Sequence, residues 1–173
     1  MVLATYGSDA YKVVLTLHIL CAIVGFGAVF LNGLYGQQAK ARKGPEGLAI
    51  SEANLLVSKV GEYFIYAVFL LGVALVLIGD NLYDFGQTWV WLSMLVYLGA
   101  LGISHGLMQP RFNRMVDLQR QLVASGPPAA GAAGPPPQVL EMQQIGKQMG
   151  IIGPVLNLLM VAVLVLMVFQ PGV

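Results

Sequence analysis

The chain has 173 residues, of which 57% are hydrophobic and only 10% charged, where a soluble domain carries about a quarter charged residues. That surface cannot be covered in water, and the mean hydropathy of +0.76 agrees with a protein that lives in a bilayer. Nine Lys+Arg against eight Asp+Glu leave a net charge of +1, which excludes a nucleic-acid-binding surface, and the single cysteine, Cys21, excludes an internal disulfide.

Four stretches carry almost no charge: Val13 to Ala39, Tyr63 to Gly79, Phe85 to Pro110 and Gln148 to Val173. A hydrocarbon core of about 30 Å needs about 20 helical residues, which the second stretch reaches when extended back to Leu55. The expected fold is therefore all-α, a polytopic, antiparallel four-transmembrane-helix bundle forming one membrane domain over 1–173. Its spans fall at about 11–35, 55–79, 87–108 and 149–169.

Span one is too long for the core of a signal peptide and reads as an uncleaved anchor. It carries Ala22, Gly25, Ala28 and Gly33, small residues that let another helix approach closely, and span three carries Gly99, Gly102 and Gly106. After span three, Arg111, Arg114, Asp117 and Arg120 mark a short amphipathic stretch. The uncharged segment 125–137, SGPPAAGAAGPPP, is rich in helix-breaking proline and reads as a flexible linker. Beyond it Leu140, Met142, Ile145 and Met149 recur at helical spacing, and both amphipathic stretches are expected to lie along the membrane interface. Gly153 and Pro154 allow a bend in span four.

Eight of the nine cations, Lys40, Arg42, Lys43, Lys59, Arg111, Arg114, Arg120 and Lys147, fall on one side of this topology, with Lys12 opposite. Short cytoplasmic loops collect Lys and Arg, so both termini are expected outside the cell and the longer loops inside. Tyr11, Tyr83, Trp89 and Trp91 then form the outer aromatic belt, with Tyr35, Tyr63 and Tyr66 at the inner one.

Ionisable residues at membrane depth are costly, which makes His18, Glu62 and His105 candidates for function. His18 lies near the outer end of span one and His105 near the inner end of span three, about 15–20 Å apart in depth. Two axial ligands of one haem hold their nitrogens about 4 Å apart, so the two histidines cannot share an iron within one copy. Glu62 lies at the depth of His105, with Lys59 one turn away, and the three form a candidate polar cluster. Such a cluster suits a proton relay, a quinone headgroup contact or a ligand site, or else a pair that fixes helix register. His18 and Cys21, three residues apart, offer two ligands where a closed metal site takes about four, so no metal site is assigned. Asn32 and Asn157 suit interhelical hydrogen bonds.

The opening span, AYKVVLTLHILCAIVGFGAVFLNGLYG, with Leu17, His18 and Ile19 at its centre, and the SHG of Ser104 to Gly106 resemble a group of small bacterial four-helix membrane proteins. That group includes the HemJ-type protoporphyrinogen oxidases, the copper-resistance D family and an uncharacterised branch of predicted membrane proteins. The resemblance implies a bundle in which His18 contacts haem. Where those oxidases tend to have a tryptophan after the first-span histidine this chain has Gly25 and Phe26, and span four has no lysine, so it is most similar to the uncharacterised branch.

Neither a phosphate loop nor a nucleophile elbow is present, and no catalytic residue is assigned. The expected role is a small accessory or scaffold subunit of a larger bacterial respiratory or photosynthetic membrane complex, in contact with the lipid bilayer and with other subunits or further copies of itself. A haem-associated oxidoreductase of HemJ-like type and a small oligomeric transporter or metal permease are the alternatives. The location expected is the bacterial plasma membrane.

Overall fold

A computed structural model of the chain describes residues 7–79, 83–126 and 134–172. Most of the expected linker lies outside these residues. Helix α1 runs Asp9–Ala41, α2 Pro45–Ile78, α3 Thr88–Ile103, a π-helical segment Ser104–Met108, α4 Gln109–Ser125 and α5 Pro137–Phe169. Helix α3, the π segment and α4 form one continuous rod, Thr88–Ser125. The fold is thus all-α, with four helical rods long and apolar enough to cross a membrane and no strand among the described residues.

Local signals set the ends. The Ser8 hydroxyl caps α1 by accepting from the Tyr11 N–H at 3.2 Å, with Asp9 in the first turn. Between α1 and α2, Gly44 takes φ of 70° and Pro45 opens the next helix. A Cβ on Gly47 would lie 1.8 Å from the Arg42 carbonyl oxygen, so the turn closes directly on the glycine backbone. The π segment has its cause in Pro110, which lacks an N–H and whose ring would strike the carbonyl four residues back. The helix widens instead, and the Gln109 N–H donates to the Ser104 carbonyl. Pro154 sits inside α5 without ending it.

The rods are longer than a bilayer is thick. At 1.5 Å per residue, rods of 33 to 38 residues span about 50–57 Å against about 30 Å of hydrocarbon. Counting about 20 residues back from Ile78 and Phe169, and forward from Thr88, puts the other hydrocarbon boundary near Lys59, Gly150 and Met108. The surplus projects at the end that holds Lys40, Arg111 and Arg120, called here the basic end. This corrects the expectation of interfacial helices. The stretches around Arg114 and Ile145 continue the rods and bury Val116, Leu118 and Ile145. Arg114 Nε meets Glu141 at 2.7 Å on α5, and Arg120 Nε meets Glu52 at 2.8 Å on α2, pairings that helices lying flat would not make.

Helices α1 and α2 pair through a seven-residue pattern. Tyr11, His18, Gly25 and Ala39 are buried on α1, and Gly47, Asn54, Gly61, Val68 and Leu75 on α2, a coiled-coil spacing with small residues at the closest approach. A Cβ on Gly61 would fall 2.6 Å from that of Ala28, and one on Gly25 would fall 3.0 Å from Ile65 Cγ1. The centre of the bundle is Val68, Tyr97 and Val163, with Phe26 and Phe69 against the Tyr97 ring. The Tyr97 hydroxyl donates to the Ile65 carbonyl at 2.7 Å. Of the small residues expected to make contacts, Gly33, Gly99, Gly102 and Gly106 stand in open space, where an added Cβ would meet no neighbouring element within 4 Å. On α3 the packed face is that of Val90, Ser93 and Tyr97, which leaves Gly99 and Gly102 on the opposite side. At the end away from the basic residues, Tyr83 and Trp89 pack edge to face at 5.2 Å.

Candidate proton-sharing site

Three elements meet about one turn inside the basic-end boundary. Helix α2 supplies Glu62 and Tyr66, four residues apart on one face; the π segment supplies His105, and α4 supplies Gln109. The Tyr66 hydroxyl donates to Glu62 Oε1 at 2.6 Å, and His105 Nε2 lies 2.6 Å from the same oxygen. The Tyr66 hydroxyl also touches His105 Nε2. Gln109 Nε2 donates to Glu62 Oε2 at 3.0 Å, so both carboxyl oxygens are engaged.

The remaining ring nitrogen is a donor. His105 Nδ1 lies 3.1 Å from the Leu101 carbonyl oxygen, which only accepts, so Nδ1 carries a hydrogen. At 2.6 Å the contact between Nε2 and Oε1 is a hydrogen bond only with a proton between the two atoms, carried by the imidazole or by the carboxyl. With the proton on nitrogen the pair is an imidazolium and a carboxylate; with it on oxygen both groups are neutral. Either way the pair has no net charge, which keeps its cost in a bilayer low. Moving that proton between Nε2 and Oε1 leaves the net charge unchanged, so the arrangement can hold a proton and pass it on.

Glu62 and His105 come together from spans two and three. Lys59 does not join them: it is exposed, with no hydrogen bond or ion pair to Glu62. The carboxylate is drawn across to the π segment and α4, and Tyr66 and Gln109 take the places assigned to the lysine. The cluster lies at the flank of the bundle, with the Glu62 and His105 side chains 25% and 38% exposed. Tyr66 is exposed to a similar degree.

His18 lies elsewhere, in the seam between α1 and α2. A Cβ on Gly72 would come within 3.2 Å of its Cε1, so the ring rests on the α2 backbone. It is 8% exposed, its Nδ1 is buried without a hydrogen-bond partner, and the Val68 backbone is its polar neighbour. A haem ligand needs a ring nitrogen facing open space as broad as a porphyrin. The cavity between the helix pairs, about 70 Å³ and lined by Phe26, Ile65, Tyr97, Ser104, Leu156 and Val163 among others, holds only a few waters and is not bordered by His18. The surroundings of His18 do not fit the group. Cys21 packs beside the central cluster, and no set of three or more metal-ligating side chains occurs among the described residues. Asn32 Oδ1 accepts from the Ser58 hydroxyl at 3.0 Å and ties α1 to α2, whereas Asn157 Oδ1 is buried without a partner.

Residues 12–171 match a family model described as "Predicted integral membrane protein (DUF2269)". No curated protein and no solved structure matches the chain.

Proposed function

The chain belongs to this family of predicted integral membrane proteins, and from that premise we propose that it acts as a small accessory or scaffold subunit of a larger bacterial membrane assembly, respiratory or photosynthetic. The observation that carries this reading is the open flank of the Glu62, Tyr66 and His105 cluster. A polar group at membrane depth facing hydrocarbon is costly, and a neighbouring transmembrane helix offering one hydrogen-bonding side chain would lower that cost. The uncovered glycines Gly102 and Gly106 flank His105 and let the backbone of such a helix come close. In this reading the basic end faces the cytoplasm of a plasma-membrane protein and both termini lie outside, in keeping with the eight cations gathered there.

A photo-reactive residue in place of Gly102, with Gly25 in the α1–α2 seam as the control site, tests the proposal in native membranes. Covalent capture of a larger membrane subunit from position 102 and not from position 25 is the expected result. Capture of lipid alone, or solely of a second copy of the chain, contradicts it.

A further inference from the structure

Helix α2 carries a polar stripe below the cluster. Ser51, Asn54, Ser58, Glu62 and Tyr66 follow one another at intervals of three and four, so they share one face over about 22 Å of the helix. The stripe starts at the basic end and finishes in the proton-sharing site. Its lower members are enclosed by neighbouring helices: Ser51 and Asn54 are 5% and 3% exposed. The Ser58 hydroxyl lies 2.8 Å from the Asn54 carbonyl oxygen and 3.0 Å from Asn32 Oδ1, which makes it the link between the lower stripe and the hydrocarbon boundary.

Two buried oxygens near the start of the stripe lack a hydrogen-bond partner, Asn54 Oδ1 and, on α4, Gln119 Oε1. Helices α2 and α4 run antiparallel, joined by Gln109 to Glu62 at one end and by Arg120 to Glu52 at the other, so the Gln119 turn lies beside the start of the stripe. A buried amide oxygen is rarely left unpaired, and water is the donor small enough to enter a polar seam and satisfy it.

We propose that the Glu62–Tyr66–His105 cluster exchanges its shared proton with water at the basic end, along the α2 face that carries Ser51, Asn54 and Ser58. Loss of the Nε2 proton to a water on the stripe forms hydronium and leaves a carboxylate beside a neutral imidazole, with net charge −1. Return of a proton from hydronium restores the neutral pair. No electron moves and no other reactant is required. The titratable and charged groups around the pair are Tyr66 and Tyr63 on α2, Lys59 one turn toward the basic end, and Arg111 on α4, which is held by Gln148 and the Leu107 carbonyl. The inference does not depend on the accessory role, since it concerns water reaching the cluster from within the chain.

The test is the hydrogen–deuterium exchange rate of the His105 imidazole, read by nitrogen-15 solid-state NMR on the full chain in lipid bilayers. Asn54→Leu places hydrocarbon on the stripe and is expected to slow exchange about tenfold or more, the effect of removing one hydrogen-bonded carrier. Asn54→Ser keeps a polar group and room for water, and is expected to stay near the wild-type rate. Ser58→Ala supplies an independent slowed variant should Asn54→Leu fail to fold. Unchanged His105 shifts in each variant show that the cluster itself is intact. Exchange as fast in Asn54→Leu or Ser58→Ala as in the wild type would overturn the proposal, since protons would then reach the cluster from its open flank.

Discussion

Substitution of Gly61 by alanine probes the closest approach in the bundle. The added Cβ would stand 2.6 Å from the Ala28 Cβ, whereas ordinary contacts begin near 3.4 Å, so α1 and α2 must part by roughly 0.8 Å along that line. Overpacking of this kind costs about 1–3 kcal/mol, more than the roughly 1 kcal/mol that alanine gains over glycine inside a helix. The net expectation is a destabilisation of up to about 2 kcal/mol, although alanine is the better helix former. Pairing it with Ala28→Gly removes the clashing methyl and leaves the new Cβ with the Gly25 carbonyl oxygen at 3.9 Å as its neighbour. The double variant should return to within about 1 kcal/mol of the wild type, a coupling that a double-mutant cycle measures. Reversible unfolding in detergent or bicelles provides the free energies. Gly61→Ala more stable than the wild type by the full helix-propensity gain of about 1 kcal/mol, or a double variant no better than the single, would refute the seam.

Other substitutions test the site and the basic end. His105→Leu deprives Glu62 of its proton-sharing partner and should cost about 1–3 kcal/mol in the same unfolding assay, with much of the loss recovered by adding Glu62→Gln. Tyr97→Phe removes the hydroxyl that donates to the Ile65 carbonyl while keeping the ring contacts, and a loss of about 1 kcal/mol is expected from equilibrium unfolding. Arg120→Ala breaks exposed ion pairs to Glu52 and Asp117 and should change stability by less than about 1 kcal/mol, an effect that shrinks further as salt is raised during the measurement.

The transmembrane portion of the fold is legible because charge-free runs of the right length have one physical solution in lipid, a helix that satisfies its own backbone. The pairing of Glu62 with His105 follows from matched depth on neighbouring antiparallel spans. Their other partners escaped a reading by depth, yet each sits one helical turn from a recognised residue: Tyr66 four beyond Glu62, and Gln109 four beyond His105. Lys59 misleads because reach along a helix does not say which way a carboxylate turns when better donors stand across the interface. The helical extensions were hidden for a different reason. Apolarity ends at the first charges, but the seven-residue repeat through Gly47 and Asn54 continues into the basic end, and the charges that look like an interfacial signal are spent on neighbouring helices. The same repeat, through Tyr11, His18 and Gly25, is the signal that places His18 in a helix seam.

The helices leave the hydrocarbon at the basic end and continue as a water-side bundle. Spin labels at Ala49, Leu56, Tyr63, Leu70 and Leu77, one exposed column along α2, introduced singly after Cys21→Ala and read in bilayers, test this most directly. Accessibility to a water-soluble nickel chelate should be high at position 49 and fall to a minimum at 70, with oxygen accessibility running the opposite way and position 63 already inside the hydrocarbon. A label at 49 as deep as one at 63, or water access at 70 equal to that at 49, would contradict it.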